Sequence, residues 1–307
     1  MSKPRIAVLM STYNGEKYIK EQIDSILAQR DTDVTLFVRD DGSTDATKDI
    51  VREYAKSHKN IHLYCDGKNL RPGKSFLKLL CYVVKYKEPF DYYAFSDQDD
   101  IWLEDKLIRG AEAIEDIEGP ALYCSNQILY IDGKRERLRL DSVPEITLMT
   151  HITQNKMYGC TMVLNHELAS LIESCKKPGN DLLLARNHDA WTILLALAVG
   201  KVVYDNDSYI LYRIHDKNVV GVRDKTFMQR LTRFAHQSVR NLRSNSARYL
   251  LRALGETDFE DREYIELMAF YRNSLKNRLM LIKNADVCKS ADESRLVFAA
   301  KVIIGYI

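Results

Sequence analysis

Along the first hundred residues the apolar positions alternate between two periods. Ile6-Ala7-Val8-Leu9-Met10 is an unbroken apolar run, the pattern of a strand buried on both faces. Behind it Tyr18, Ile19, Ile23, Ile26 and Leu27 return at helical spacing. The pair then repeats. Runs at 34–38, 61–64 and 92–95 read as strands, while Ile50, Val51, Tyr54 and Ala55, and then the segment 73–85, read as helices. Strand starts at 6, 34, 61 and 92 are 28, 27 and 31 residues apart. That interval is one βαβ unit, so a parallel, doubly wound α/β sheet is expected.

The rhythm weakens after about residue 120. Segments 121–131 and 158–164 each suggest a strand, 187–199 a helix, and 201–204 and 209–213 two more strands. From about 224 the pattern is helical to the end. Neither a further repeat nor a low-complexity linker interrupts it.

Ligands of such sheets bind at the carboxyl ends of the strands, and the polar clusters fall at those ends. Ser11-Thr12-Tyr13-Asn14-Gly15 follows the first strand, Asp40-Asp41-Gly42-Ser43-Thr44-Asp45 the second, and Ser96-Asp97-Gln98-Asp99-Asp100 the fourth. Like charges gathered on one rim repel, so a purely structural role does not call for them. Asp97 and Asp99, two apart after a buried strand, can face one hard cation that keeps open positions for phosphate oxygens. The bland alternative is a helix N-cap cluster before Ile101-Trp102-Leu103. An EF-hand fits poorly, because Trp102 stands where that loop needs glycine. The carboxylates of 40–45 can accept hydrogen bonds from a base N–H or ribose hydroxyls, or serve as a capped helix start. An aspartyl-phosphatase reading is discounted, since its Asp-x-Asp follows the first strand.

Together, Leu9-Met10-Ser11-Thr12-Tyr13-Asn14-Gly15, Asp40-Asp41-Gly42-Ser43-Thr44-Asp45 and Ser96-Asp97-Gln98-Asp99-Asp100-Ile101-Trp102 resemble the family 2 inverting glycosyltransferases of GT-A fold. The Ser-Asp-Gln-Asp-Asp-Ile-Trp variant looks like the rhamnosyltransferases of bacterial capsule and cell-wall polysaccharides. The match covers about 5–222. The resemblance implies that Thr12 and Tyr13 line the nucleotide base and Asp41 binds base or ribose. It further implies that Asp97 contacts ribose or metal and that Asp99 ligates Mg²⁺ or Mn²⁺. Asn187-His188-Asp189-Ala190-Trp191 looks like the motif of the catalytic base, which makes Asp189 the base and His188 its competitor. Ala190 stands where an aromatic residue is expected, a departure that touches acceptor contacts. Tyr212-Arg213-Ile214-His215, with Asn218 and Gly221, looks like the motif beside the donor diphosphate. The Gln-x-x-Arg-Trp motif of processive relatives is absent.

The resemblance implies a GT-A-like catalytic domain over 1–222, with a nucleotide-binding half at 1–120 and an acceptor half at 121–222, and a helical extension over 223–307. Its donor would be dTDP-rhamnose or a UDP-sugar, and its acceptor a saccharide, lipid-linked at the membrane face. Gly159-Cys160-Thr161 fits either the acceptor side of the cleft or a close-packed strand. Two rival readings keep the fold class: a non-catalytic sugar-nucleotide-binding or scaffold subunit, and a nucleotidyltransferase, which would release pyrophosphate.

Composition changes this picture little. With 307 residues, 46% hydrophobic, and a net charge of only +2, the chain is globular and does not read as a nucleic-acid binder. Its six cysteines show no zinc or redox spacing and read as buried thiols in a reducing compartment. No signal peptide or membrane-length apolar run is recognisable, so a cytoplasmic, peripheral protein is expected. The stretch 224–252 carries seven Lys or Arg against the single acid Asp224, interleaved with aromatic and aliphatic residues. It fits either contact with an anionic membrane or ordinary helix packing on the catalytic domain.

Overall fold

The computed structural model describes residues 2–215 and 241–307. They form two compact units, one of 2–144, 157–174 and 200–215, the other of 145–156, 175–199 and 241–307. The segments 145–156 and 175–199, expected in the acceptor half, therefore cluster with the C-terminal helices.

The first unit is an α/β domain. Strands β1 (Arg5–Thr12), β2 (Asp33–Asp40), β3 (Ile61–Cys65) and β4 (Tyr92–Ser96) alternate with helices α1 (Ile19–Leu27), α2 (Thr47–Ser57) and α3 (Pro72–Tyr86). The apolar run of β1 is wholly buried, as two-sided cover requires. After β4 come β5 (Ile101–Trp102), α4 (Lys106–Glu112), β6 (Ala121–Ser125), β7 (Ile128–Ile131) and β8 (Lys134–Leu138). Then follow β9 (Val163–Asn165), α6 (His166–Ser174), β10 (Lys201–Asp205) and β11 (Ile210–Arg213). The main sheet runs β10-β6-β9-β4-β1-β2-β3, with β9 antiparallel to both its neighbours and every other pair parallel. A second sheet runs β5-β11-β7-β8. Strand order reverses at β1, with β2 on one side and β4 on the other, and ligands of open α/β sheets bind at such a point.

Two readings of the sequence change. The segment 121–131 is two strands in different sheets, because Ser125-Asn126-Gln127 turns between them with Asn126 and Gln127 wholly buried. Asn126 Nδ2 donates to the Leu140 carbonyl at 2.8 Å, and its Oδ1 accepts the Gln127 N–H at 2.9 Å. In 158–164, Gly159–Thr161 is a 3₁₀ turn and only Val163–Asn165 pairs as a strand. Gly110 lets α4 approach that strand, since a Cβ there would lie 2.6 Å from Val163 Cγ2.

The second unit is helical. It contains α5 (Leu148–Thr153), α7 (Asn180–Val199) and helices at Leu242–Leu254, Arg262–Phe270, Leu275–Lys283, Ala285–Cys288 and Arg295–Ile304. α7 is apolar on nearly all sides and long enough to cross a membrane. Most of it is buried, as a core helix should be. It is broken at Asn187, whose φ of 59° and ψ of −170° are not helical. Asp181 near its start accepts bonds from Tyr249 Oη at 2.6 Å and Asn245 Nδ2 at 2.7 Å, tying α7 to Leu242–Leu254. The part of the basic stretch 224–252 before residue 241 lies outside the described residues. In the remainder the cations have partners within the helical unit: Arg243 pairs with Glu293 at 2.8 Å, Arg248 donates to the Ala269 carbonyl, and the exposed Arg252 donates to that of Lys177.

Candidate active site

The ends of β1, β2 and β4 bring the three polar clusters together, and backbone-to-side-chain bonds lock them to one another. Thr12 Oγ1 donates to Asp40 Oδ2 at 3.2 Å, and the Asp41 N–H donates to the Thr12 carbonyl at 2.7 Å. The Gln98 amide spans to the first loop, accepting from Tyr13 N at 2.9 Å and donating to Tyr13 O at 3.1 Å. Gly15 makes this bridge feasible, because a Cβ there would lie 2.3 Å from Gln98 Oε1. The Tyr13 ring stays half exposed at the rim, as a stacking surface would. Gly42, at φ 92°, turns the second loop, whose Ser43 N–H and Gly42 N–H both donate to Asp40 Oδ1.

Asp41 is buried against Arg39, and its two oxygens also accept the backbone N–H groups of Leu70 at 2.7 Å and Arg71 at 2.9 Å. It therefore fixes the approach to α3. Arg71 sits there at φ 67° and ψ 158°, a region that is nearly the preserve of glycine. Arg39 reaches on to Asp66 at 2.8 Å, and with Lys78 it holds the Asp66 carboxyl down at about 2, the Lys78 bond being the largest cause.

The acidic run after β4 divides. Asp97, Asp100 and Cys160 each offer a ligand atom, all within 4.8 Å of one another. Asp99 lies outside that trio and meets His215, Nε2 to Oδ2 at 2.9 Å. Arg213 Nε donates to the Asp99 carbonyl at 2.8 Å, its backbone N–H reaches Asp100 Oδ1 at 3.2 Å, and its guanidinium pairs with Glu21 between the rings of Tyr18 and Tyr130. Asp100 is fully buried, and its Oδ2 accepts no hydrogen bond. Burial, then the charges of Asp99 and Asp97, push its carboxyl well above the usual carboxylate range. Burial raises the Cys160 thiol likewise, and it lowers the Lys106 ammonium, packed over the Trp102 ring, to about 8. Hard carboxylate oxygens, one of them buried and unsatisfied, fit a small divalent cation.

The candidate site thus joins Thr12, Tyr13, Asp41, Asp97, Asp99, Arg213 and His215 in one unit. The sequence did not single out Glu21, gave Gln98 and Asp100 no role of their own within the rim cluster, and offered Cys160 only for the acceptor side of the cleft. Asp100 had a signal, being part of the same acidic run, whereas Glu21 looked like an ordinary first-turn acid of α1. Asn218 and Gly221 lie outside the described residues.

Asp189 belongs to the other unit. It stands just past the break at Asn187, and its Oδ1 accepts the Ala190 N–H at 2.7 Å. Arg186 before the break donates to the Ile152 carbonyl at 2.7 Å and to that of Thr153 at 2.8 Å, at the end of α5. His188 and Trp191 behind it are buried. Burial holds the His188 imidazole neutral, lowered to about 3.

The mostly parallel sheet with its polar rim has GT-A-like architecture. The profile of glycosyl transferase family 2 matches residues 7–173, and the chain belongs to that family. It is 32% identical over 248 residues to dTDP-rhamnosyl transferase RfbG of Shigella flexneri, covering 74% of this chain and 83% of that one. It is 27% identical to the putative teichuronic acid biosynthesis glycosyltransferase TuaG of Bacillus subtilis, over 56% of this chain and 66% of the relative. Among solved structures, S. aureus TarS 1–349 in complex with UDP-GlcNAc superposes with a TM-score of 0.55 at 19% identity, over 91% of this chain and 79% of that one. Mannosyltransferase PcManGT from Pyrobaculum calidifontis, in complex with GDP-Man and Mn²⁺, does so at 0.52 and 16% identity, over 98% and 79%. At those identities the structures speak for the fold.

Proposed function

We propose that this protein transfers a sugar, with rhamnose favoured, from a nucleotide diphosphate donor to a saccharide acceptor. Transfer would invert the anomeric carbon, depend on Mg²⁺ or Mn²⁺, and serve bacterial surface polysaccharide synthesis. The carrying observation is the meeting of Asp97, Asp99 and Asp100 with Arg213 and His215 beside the Tyr13 loop. The names of RfbG, which pairs dTDP with rhamnose, and of TuaG support the sugar and the polysaccharide role. dTDP-rhamnose is the first donor to try and UDP-sugars the next.

Thr12 and Tyr13 would border the base. Asp41, expected to bind base or ribose directly, is buried with both carboxylate oxygens taken by Arg39, Leu70 and Arg71, so it would act on the nucleotide through the backbone of residues 70–71 instead. Asp97 and Asp99 would hold the cation, with Asp100 behind them, and the cation would neutralise charge on the departing diphosphate. Arg213 would exchange Glu21 for phosphate oxygens, which a guanidinium binds with two parallel bonds. Asp189 would take the acceptor hydroxyl proton. His188, with its low basicity, is the weaker choice of base. The acceptor would be lipid-linked.

A panel of nucleotide sugars in a thermal-shift assay, with and without Mg²⁺ or Mn²⁺, tests the reading. A donor at a hundred times its Kd stabilises the fold by about 2.7 kcal/mol. Stabilisation by dTDP-rhamnose that needs the cation is expected. Stabilisation without release of nucleoside diphosphate would favour the scaffold alternative, and release of pyrophosphate a nucleotidyltransferase.

A further inference from the structure

Nine of the fifteen exposed large apolar side chains among the described residues fall between 270 and 304. Soluble surfaces carry such side chains singly, and a concentration of them marks an interaction site. Two helices carry most of them. On Leu275–Lys283, Leu275 and Leu279 lie one turn apart, 73% and 58% exposed. On Arg295–Ile304, Leu296 is 84% exposed, and Ile303 and Ile304, two turns on, about as open as Leu279. The opposite face of that last helix is spent on the core, with Phe298 and Val302 wholly buried. The two helices touch, and Arg278 Nη1 donates to the Ile303 carbonyl at 3.1 Å.

Charge selects the occupant. The two helices hold Lys276, Arg278, Lys283, Arg295 and Lys301 and not one Asp or Glu. Lys301 is drawn inward to Glu293 and Arg295 pairs with Asp286, which leaves Lys276, Arg278 and Lys283 beside the exposed leucines. A second copy of the chain would set cation against cation there. An anionic bilayer accepts both halves of the pattern: aliphatic side chains enter the interface while long basic ones reach the headgroups.

We propose that helices Leu275–Lys283 and Arg295–Ile304 form a peripheral docking face for anionic lipid bilayers. In the described part of the basic stretch 224–252, Arg243 and Arg248 are instead bound to Glu293 and the Ala269 carbonyl, and Arg252, though exposed, donates to the Lys177 carbonyl. The face suits a lipid-linked acceptor but does not depend on that reading, because vesicle binding is measured without donor or turnover.

The test is flotation of the full chain with phosphatidylcholine vesicles, with and without about a third phosphatidylglycerol. Binding to the anionic vesicles alone, weakening as salt rises, is expected. Leu296→Glu with Ile303→Glu should lower the bound fraction about tenfold or more, since it removes two inserting side chains and adds two like charges. Both positions are exposed, so melting temperature and donor affinity should stay at the wild-type level. Lys276→Glu with Lys283→Glu should act in the same direction. Wild-type flotation by the Leu296 and Ile303 double variant would overturn the proposal, as would loss of flotation only on charge reversal at Arg230 and Arg233. A wild-type oligomer that ignores vesicles and is dispersed by the same substitutions would show a protein interface instead.

Discussion

Nε2 of His215 stands 2.9 Å from Oδ2 of Asp99, while Arg213, two residues earlier, donates to the Asp99 carbonyl. The segment leaving β11 thus holds one acid of the run after β4 by both backbone and side chain. His215→Ala should release that carboxylate. Activity or cation affinity should fall about 10–100-fold, the range for partners that orient a ligand. Stability should fall by no more than about 1–3 kcal/mol, the worth of one charged hydrogen bond. Steady-state kinetics against cation concentration checks this, and wild-type kinetics would remove His215 from the site.

Gly15 is expected to tolerate no side chain. In Gly15→Ala the new methyl displaces the Gln98 amide and with it both bonds to Tyr13. Only the end of a flexible side chain has to move, so the fold should survive. Nucleotide affinity should drop about tenfold, equivalent to about 1.4 kcal/mol. Calorimetry with the nucleoside diphosphate reads it directly, and unchanged affinity would mean that Tyr13 does not border the nucleotide.

How far the sequence could be read follows from the kind of signal each part carried. β1 was legible because a strand buried on both faces is an unbroken apolar run, and β2 to β4 because their shorter runs repeat at the βαβ interval, although edge strand β3 is only partly buried. The rim was legible because polar residues directly after such runs have nowhere else to go. The split of 121–131 was hidden, since Asn126 and Gln127 are polar yet fully buried, and their burial is satisfied by partners remote in sequence such as Leu140. Glu21 was hidden for the same reason: its partner Arg213 lies 192 residues away. The helix expected from 187 does begin where the backbone breaks at Asn187; what the sequence hid is the helical stretch from Asn180 that leads into that break.

That break gives a further prediction. Asn187 occupies a backbone region open mainly to glycine, at a cost of about 1–3 kcal/mol, held by Arg186 on one side and buried His188 and Trp191 on the other. Asn187→Gly should leave stability unchanged or raise it by about 1 kcal/mol, relief of strain being partly offset by glycine's entropy. Asn187→Val should lower it by about 1–3 kcal/mol, since a branched side chain fits that region worst. It should also lower kcat if Asp189 is the base. Equal denaturation midpoints for the two variants would contradict the strain.

Acid should destabilise the helical unit through two buried imidazoles. Burial lowers His188 to about 3 and His151 to about 4 from an ordinary 6.5. Between those values the unfolded chain binds protons that the native chain refuses, so stability rises with pH and is lost as pH falls below about 6.5. Each imidazole contributes a slope of up to about 1.4 kcal/mol per pH unit. Denaturant unfolding at pH 7, 6 and 5 should show the slope, and His188→Gln should flatten it. A flat profile in the wild-type protein would show that the two side chains are not buried as described.

The proposed function puts donor cleavage at the rim formed by β1, β2 and β4, with a cation held by Asp97 and Asp99. Its most direct measurement is the rate of dTDP release from dTDP-rhamnose with a saccharide acceptor, in Mg²⁺ or Mn²⁺ and in EDTA, for the wild type and for Asp99→Ala. Release is expected to require the cation and to be abolished in Asp99→Ala, with the melting temperature close to wild type. Release that continues unchanged in EDTA, or in Asp99→Ala, would contradict it.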